Sequence, residues 1–384
     1  MKINQVEIIP LDIPFRMPFR VSYGAVVPGN FVVVKVSTDE GVVGIGNSQG
    51  FTRGSGQTRE SAMALMKEVA SAVLLGLDPL NTDRLLSQAE AILAGSLHIL
   101  AHFDYALYDL KGKILNTPVY QLLGGVSREK IPLEWIVMMD DPEVQAEVAQ
   151  KYIQAGFQSI KLHVGPEPKL AMKRFRTVRE AIGPDVPLSV DMAGVYAPFD
   201  AVRLIEEFAQ YGINFAEDPA PPGNVDALLA VKSGTKVPLV ADRTLRSIAD
   251  ARELTQRRAA DSFHLLMGKV GGLRKASKLS TVIEAADLNY QICALGTGIE
   301  HAAGAHLAVS RLKGDRFLDE LSLIFYLHGG METKDITTDV TKEMNGKIEK
   351  GYLYPPKGPG LGVELNEDMV KRYAASGVST IMVK

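Results

Sequence analysis

The chain has a single cysteine, Cys293, among its 384 residues. One thiol cannot build an intrachain disulfide framework or a cysteine-rich zinc site. A dominant charge is also missing: 42 Lys and Arg stand against 45 Asp and Glu, a net charge of −3. With no basic stripe, nucleic-acid binding is not expected. No run reaches the ~20 apolar residues of a membrane span. The start, MKINQVEIIP, has no long apolar core after its basic residue, so a signal peptide is not expected. These absences point to a cytoplasmic protein in a reducing compartment, without a membrane partner. What is present is ordinary globular composition, 46% hydrophobic and 23% charged. The length exceeds one ~150-residue domain and suits a large barrel with a smaller second domain.

The middle of the chain has a beat. Short apolar runs recur at 131–137, 157–163, 186–191, 213–218, 237–242, 263–266, 290–295 and 316–320. Several are rich in Val, Ile and Phe, and all are too short for helices. The segments between them carry helical stripes, at 142–156, 170–182, 200–211 and 273–286. In the first of these, Val144, Val148, Ala149, Tyr152 and Ile153 share one face. Asp141 before Pro142 predicts its start and Gly156 its stop. Eight strand–helix units predict a parallel α/β barrel, with an open doubly wound sheet as the alternative. The flanks differ. Residues 1–60 alternate apolar and polar, as an antiparallel sheet does. Residues 59–123 read as helical, and the tail is rich in Gly and Pro. We read 1–126 as an α+β capping domain, 127–325 as the barrel, and 326–384 as a segment completing both.

In such a barrel, chemistry sits at the carboxyl ends of the strands. The third, fourth and fifth runs end in Asp191, Glu217 (with Asp218) and Asp242. Three adjacent strands would thus offer one carboxylate each at one height. Asp also caps helices well, and any one of these positions could do only that. Three in succession would repel one another and shift toward protonation without a cation. A hard divalent ion resolves the conflict, and Mg²⁺ fits oxygen ligands, with Mn²⁺ also suited. The second run ends in Lys161-Leu162-His163. Alternation puts Lys161 and His163 on the same face, candidates for catalysis beside the metal. A lysine close to a divalent cation has its ammonium form disfavoured, so its pKa is expected to fall toward a general base's range. A surface lysine and a core histidine are the plain alternative.

With these motifs assembled, the chain resembles the enolase superfamily, in its mandelate racemase/muconate-lactonizing branch. The matching elements are Lys161-x-His163, then Asp191, Glu217-Asp218-Pro219 and Asp242. Lys269-Val-Gly-Gly, residues 103–125 and the tail Gly358-Pro-Gly-Leu-Gly-Val match as well. The resemblance implies a modified TIM barrel, (β/α)7β, under a capping domain made by both chain ends. It implies Mg²⁺ on three carboxylates, abstraction of the proton α to a carboxylate of a small acid, and a homo-oligomer. Substrate contacts are expected from capping loops at 18–25 and 46–56, with Arg20, Tyr23, Gln49 and Arg53 as candidates. Glu300, and Asp319 or its neighbour Glu320, are further substrate-binding candidates.

The chain departs from the branch at the face opposite Lys161. Leu266 stands where a strand-six Lys or Asp is usual, and Gly298 where a strand-seven His is. Lys269 and His301 are near in sequence but out of register. A two-base proton transfer needs an acid on each face. The departure therefore favours a one-faced lyase, a dehydratase of a hydroxy or sugar acid, with Lys161 as base and His163 as acid. The alternatives are an isomerase (cycloisomerase, racemase or epimerase) and a binding protein that has lost its chemistry.

Overall fold

The computed structural model describes residues 1–15, 17–22, 24–25, 29–50, 56–312, 317–328 and 348–384. Strand Ile3–Ile13 lies at the centre of the first sheet. It pairs antiparallel with Gly29–Thr38 on one side and with the C-terminal strand Ile381–Val383 on the other. Val43–Asn47 extends the sheet beyond Gly29–Thr38. Period-two alternation decides what each face meets. Val6, Ile8, Val32, Val34 and Val36 pack against helices Arg59–Val69, Thr82–Leu93 and Leu97–Ile114. Ile9, Leu11, Ile13, Phe31 and Val33 belong to the barrel's core instead. Both faces are therefore apolar, because the sheet is a layer between its own helices and the barrel.

Two features fix that layer. At Gly46, any Cβ would sit 1.8 Å from the His102 carbonyl oxygen, so only glycine lets the strand lie on helix Leu97–Ile114. The second is Asp109, fully buried on that helix. It accepts from the Ile45 N–H at 2.9 Å, the Leu361 N–H at 2.8 Å and Lys113 Nζ at 2.6 Å. One carboxylate thus ties the N-terminal sheet, a helix and the C-terminal segment together. Asp109→Ala strands two buried N–H groups and is expected to cost about 3 kcal/mol, read by urea unfolding. A loss under about 1 kcal/mol would remove this residue from the joint.

Seven parallel strands form the barrel: Glu134–Val137, Ser159–His163, Leu188–Asp191, Ile213–Glu217, Leu239–Ala241, Ser262–Leu266 and Asn289–Cys293. They neighbour one another in chain order. The eighth position closes the ring through two parallel bridges, Leu133 with Asp319 and Cys293 with Glu320. This is the (β/α)7β-type barrel that the resemblance implies, and not an open doubly wound sheet. Helices Pro142–Gln154, Pro168–Ile182 and Pro198–Ala209 each begin on a proline, whose fixed φ suits the first turn. Asp141 occupies the N-cap position, but its side chain makes no capping bond there. Gly156 ends that helix at φ +100°, as its position predicts.

Candidate active site

Strand register brings the second, third and fourth barrel strands to one level. His163 is opposite Asp191, and Asp191 is opposite Glu217. Asp242 follows the fifth strand directly. The three expected carboxylates therefore sit on adjacent strands around one mouth. Below them, Lys161 is 1% exposed. Its Nζ lies 2.6 Å from Glu217 Oε2 and also contacts the Glu320 carboxylate. His163 Nδ1 is 3.3 Å from Asp191 Oδ2, and the Ala193 N–H donates to Asp191 Oδ1 at 2.7 Å.

The mouth opens into a cavity of about 500 Å³. Its floor holds Lys161, His163, Asp191, Glu217, Asp242 and Glu320. Its roof comes from the capping segment, with Phe15, Phe19, Phe31, Gln49 and Gln57. The aromatic rings of the roof lower the polarity around the charged floor and strengthen the electrostatics beneath them.

The charges are tightly interlocked. Burial and the repulsion of Glu217 raise Asp191 to about 8. Burial, with Asp242 and Glu217 beside it, raises Asp218 to about 8 as well. Burial would also raise Glu217, yet Lys161 and His264 outweigh it and hold that carboxyl at about 2. Asp242 is likewise held low, because Lys269 and His264 outweigh its burial. Burial by itself would lower Lys161, but Glu217, Glu320, Glu134 and Asp191 raise it well above an ordinary lysine. The expected fall in its pKa is thus not a property of the protein groups alone. They hold Lys161 as the ammonium, a hold that positive charge on the carboxylates would loosen. Burial and the nearby Lys161 lower His163 to about 4.

Other expectations sort differently. Gln49 lines the cavity. Arg20 does not: its side chain is 54% exposed and pairs with Asp140 at 3.4 Å. Tyr23 and Arg53 lie outside the described residues. Glu300 is fully buried, away from the cavity. It accepts from Ser48 Oγ and Tyr105 OH, both at 3.0 Å, and so joins the capping segment to the barrel. Asp319 also faces away, accepting from the Ile292 N–H at 2.7 Å and from Arg128 at 3.1 Å. Its neighbour Glu320 is the one that enters the cavity. Leu266 lines the cavity where a second base was sought, and Gly298 starts helix Gly298–Val309. Lys269, out of register by counting, still reaches Asp242, contacting its carboxylate and its carbonyl oxygen.

Sequence reading missed His264, Cys293 and Glu134. All three are buried inside the barrel. The available signal was phase: His264 is two residues before Leu266 and shares its inward face. Among the described residues, two sets of ligand-type atoms lie within 4.8 Å of one another. They are Glu217–Asp242–His264 and His264–Cys293–Glu320.

A mouth of this kind, at the carboxyl ends of parallel strands and roofed by a second layer, defines the α/β-barrel enzymes. Comparison narrows that class. The family model "Mandelate racemase / muconate lactonizing enzyme, N-terminal domain" matches residues 3–124, and "Enolase C-terminal domain-like" matches 143–369. The N-succinyl-L-Arg/Lys racemase of Bacillus cereus is 30% identical over 374 residues, 97% of each chain. A mandelate racemase/muconate lactonizing family protein from Azoarcus sp. EbN1 superposes with a TM-score of 0.92 at 31% identity, covering 100% of both chains. A dipeptide epimerase from Cytophaga hutchinsonii, solved with Mg and the dipeptide D-Ala-L-Val, gives a TM-score of 0.88 at 26% identity, again covering 100% of both. The chain belongs to the mandelate racemase/muconate lactonizing family of the enolase superfamily, and is a metal-dependent enzyme. Curated relatives further include dipeptide epimerases and chloromuconate cycloisomerases. No helix among the described residues is long and apolar enough to cross a membrane.

Proposed function

We propose that this enzyme is an isomerase whose reaction begins when Lys161 removes the proton α to the carboxylate of a small acid. The observation that carries this reading is the setting of Lys161. It is buried at the cavity floor, in contact with Glu217 and Glu320 and on the same strand face as His163. Racemases, epimerases and cycloisomerases among the relatives support isomerisation over the dehydration that Leu266 had favoured. Leu266 keeps one consequence. An apolar group opposite the base favours a one-faced course, in which one proton transfer on the Lys161 side accompanies the making or breaking of a second bond, as cycloisomerisation allows.

The carboxylates fit a hard divalent ion. All three donors are oxygens, and Asp191 is raised by burial and by the charge of Glu217 beside it. Asp191, Glu217 and Asp242 would hold Mg²⁺, and Mn²⁺ suits the same set. Bound there, the ion supplies positive charge beside the substrate carboxylate as its α-proton leaves. Glu320 would hydrogen-bond a substrate oxygen, Gln49 would contact the substrate from the roof, and His163 would move a proton on the same face. A homo-oligomer in the cytoplasm completes this reading.

Metal uptake should depend on pH. With Asp191 raised to about 8, an ion must displace its proton below that pH. Mg²⁺ affinity should rise about tenfold per pH unit between roughly pH 6 and 8, then level off. Calorimetry in buffers of different ionisation enthalpy should detect about one proton released at pH 7. Affinity independent of pH would contradict the assignment of Asp191.

The function is tested by incubating the Mg²⁺-loaded enzyme in D₂O with N-acyl amino acids, dipeptides, muconates and sugar acids. An isomerised product bearing deuterium is expected from one of the first three classes. Inversion at the α-carbon identifies a racemase or epimerase, and a deuterated lactone a cycloisomerase. Turnover confined to loss of water from sugar acids would reject isomerisation.

A further inference from the structure

His264 stands between two groups of ligand atoms. Its Nδ1 faces Glu217 and Asp242 at 3.3 and 3.5 Å, while its Nε2 is 3.4 Å from Glu320 Oε2. Cys293, at the end of the seventh strand, places Sγ 3.4 Å from Glu320 Oε1. His264, Cys293 and Glu320 are 3%, 1% and 2% exposed. Glu320 Oε2 is met by the Lys161 ammonium, while neither nitrogen of His264 makes a hydrogen bond of proper geometry. Buried polar atoms are seldom left in that condition. All three side chains line the floor of the cavity.

We propose that His264, Cys293 and Glu320 form a second metal site, built for a borderline or soft divalent ion such as Zn²⁺. The donors are one thiolate, one imidazole and one carboxylate, a set that Mg²⁺ does not select and Zn²⁺ does. The spacing fits as well. Tetrahedral zinc with ordinary bond lengths sets its N and O ligands about 3.3 Å apart, and its S and O ligands about 3.5 Å apart. His264 Nε2 is 3.4 Å from one Glu320 oxygen and Cys293 Sγ is 3.4 Å from the other, and one ligand atom of each residue lies within 4.8 Å of the other two. Charge points the same way. Glu134, Asp191, Glu217, Asp218, Asp242 and Glu320 crowd this region against the ammonium groups of Lys161 and Lys269.

Binding at this site is a simple exchange. The thiol proton and any imidazole proton pass to solvent, and the ion takes the sulfur, nitrogen and oxygen lone pairs. Three protein ligands leave a fourth position facing the cavity. Glu320 is shared with Lys161, so an ion here draws that carboxylate away from the lysine. Zn²⁺ should therefore inhibit the enzyme with Mg²⁺ in place. That consequence rests on the role proposed for Lys161, whereas the existence of the site does not.

Co²⁺ is the probe, titrated into the Mg²⁺-saturated full-length protein and followed by absorption. Cys293 is the one cysteine in the chain, so a thiolate-to-cobalt charge-transfer band can arise nowhere else. One equivalent of Co²⁺ should produce the band, and Zn²⁺ should abolish it by competition. Cys293→Ser should lose the band entirely. His264→Asn should weaken Co²⁺ binding at least about tenfold, as expected for loss of a ligand. No band in the parent protein at saturating Co²⁺ would overturn the site, whatever the folding of the variants. A band undiminished in His264→Asn would overturn the ligand set.

Discussion

Lys161→Ala should abolish metal-dependent exchange of the substrate α-proton, lowering it at least about a thousandfold. A positioned general base contributes roughly 10²- to 10⁴-fold, and here it performs the first step. The other lysine of the cavity, Lys269, contacts Asp242, so it is not free to replace Lys161. Removing the ammonium also leaves Glu217, Glu320 and Glu134 facing one another in a buried space. Their repulsion would raise their pKa values and loosen the floor. Circular dichroism and Mg²⁺ binding should therefore accompany the exchange assay, which follows the α-proton by NMR in D₂O. His163→Asn keeps the Lys161 contacts and should have the smaller effect, about tenfold to a hundredfold. Exchange undiminished in a folded Lys161→Ala enzyme would remove this residue as the base.

Asp242→Asn should lower Mg²⁺ affinity at least about a hundredfold, close to 2.7 kcal/mol. Asp242, like Glu217, is held low in pKa, because Lys269 and His264 outweigh its burial. It is thus ready to bind without first losing a proton. The amide removes a charge from a site that works by charge, and returns only one oxygen. It also leaves Lys269 without its carboxylate partner, although the contact with the residue 242 carbonyl remains. Calorimetric titration measures the change directly. An Mg²⁺ affinity equal to that of the parent would exclude Asp242 from the ligand set.

The barrel was legible because its signals are local. Strands and helices alternate at a steady interval, and each run announces itself by β-branched and aromatic residues. The run at 213–218 became strand Ile213–Glu217, and the run at 157–163 became Ser159–His163. Carboxylates at run ends were legible for the same reason, since a strand end fixes the height of its last residue. The capping segment was harder. Residues 46–56 read only as a capping loop. In the fold, Asn47 Oδ1 accepts from the Thr297 N–H at 2.9 Å, and Ser48 donates to Glu300. Those partners are some 250 residues away in the chain, and no local pattern connects them.

Alternation alone could not choose between Asp319 and Glu320. The eighth position contacts its neighbours at two bridges, too little for a pattern of its own. Only closure of the ring turns Asp319 toward Arg128 and Glu320 toward Lys161. Arg20 failed for a related reason: a charged loop residue is recruited or ignored according to where the loop rests.

The sequence by itself therefore determined the architecture and the strand-end positions of Asp191, Glu217, Asp242, Lys161 and His163, because each depends on periodicity along one strand. It also showed that only one cysteine exists. Tertiary structure alone decided that this cysteine ends the seventh strand beside Glu320 and His264. Neighbours across a closed barrel are set by ring closure, and closure is a property of the whole sheet.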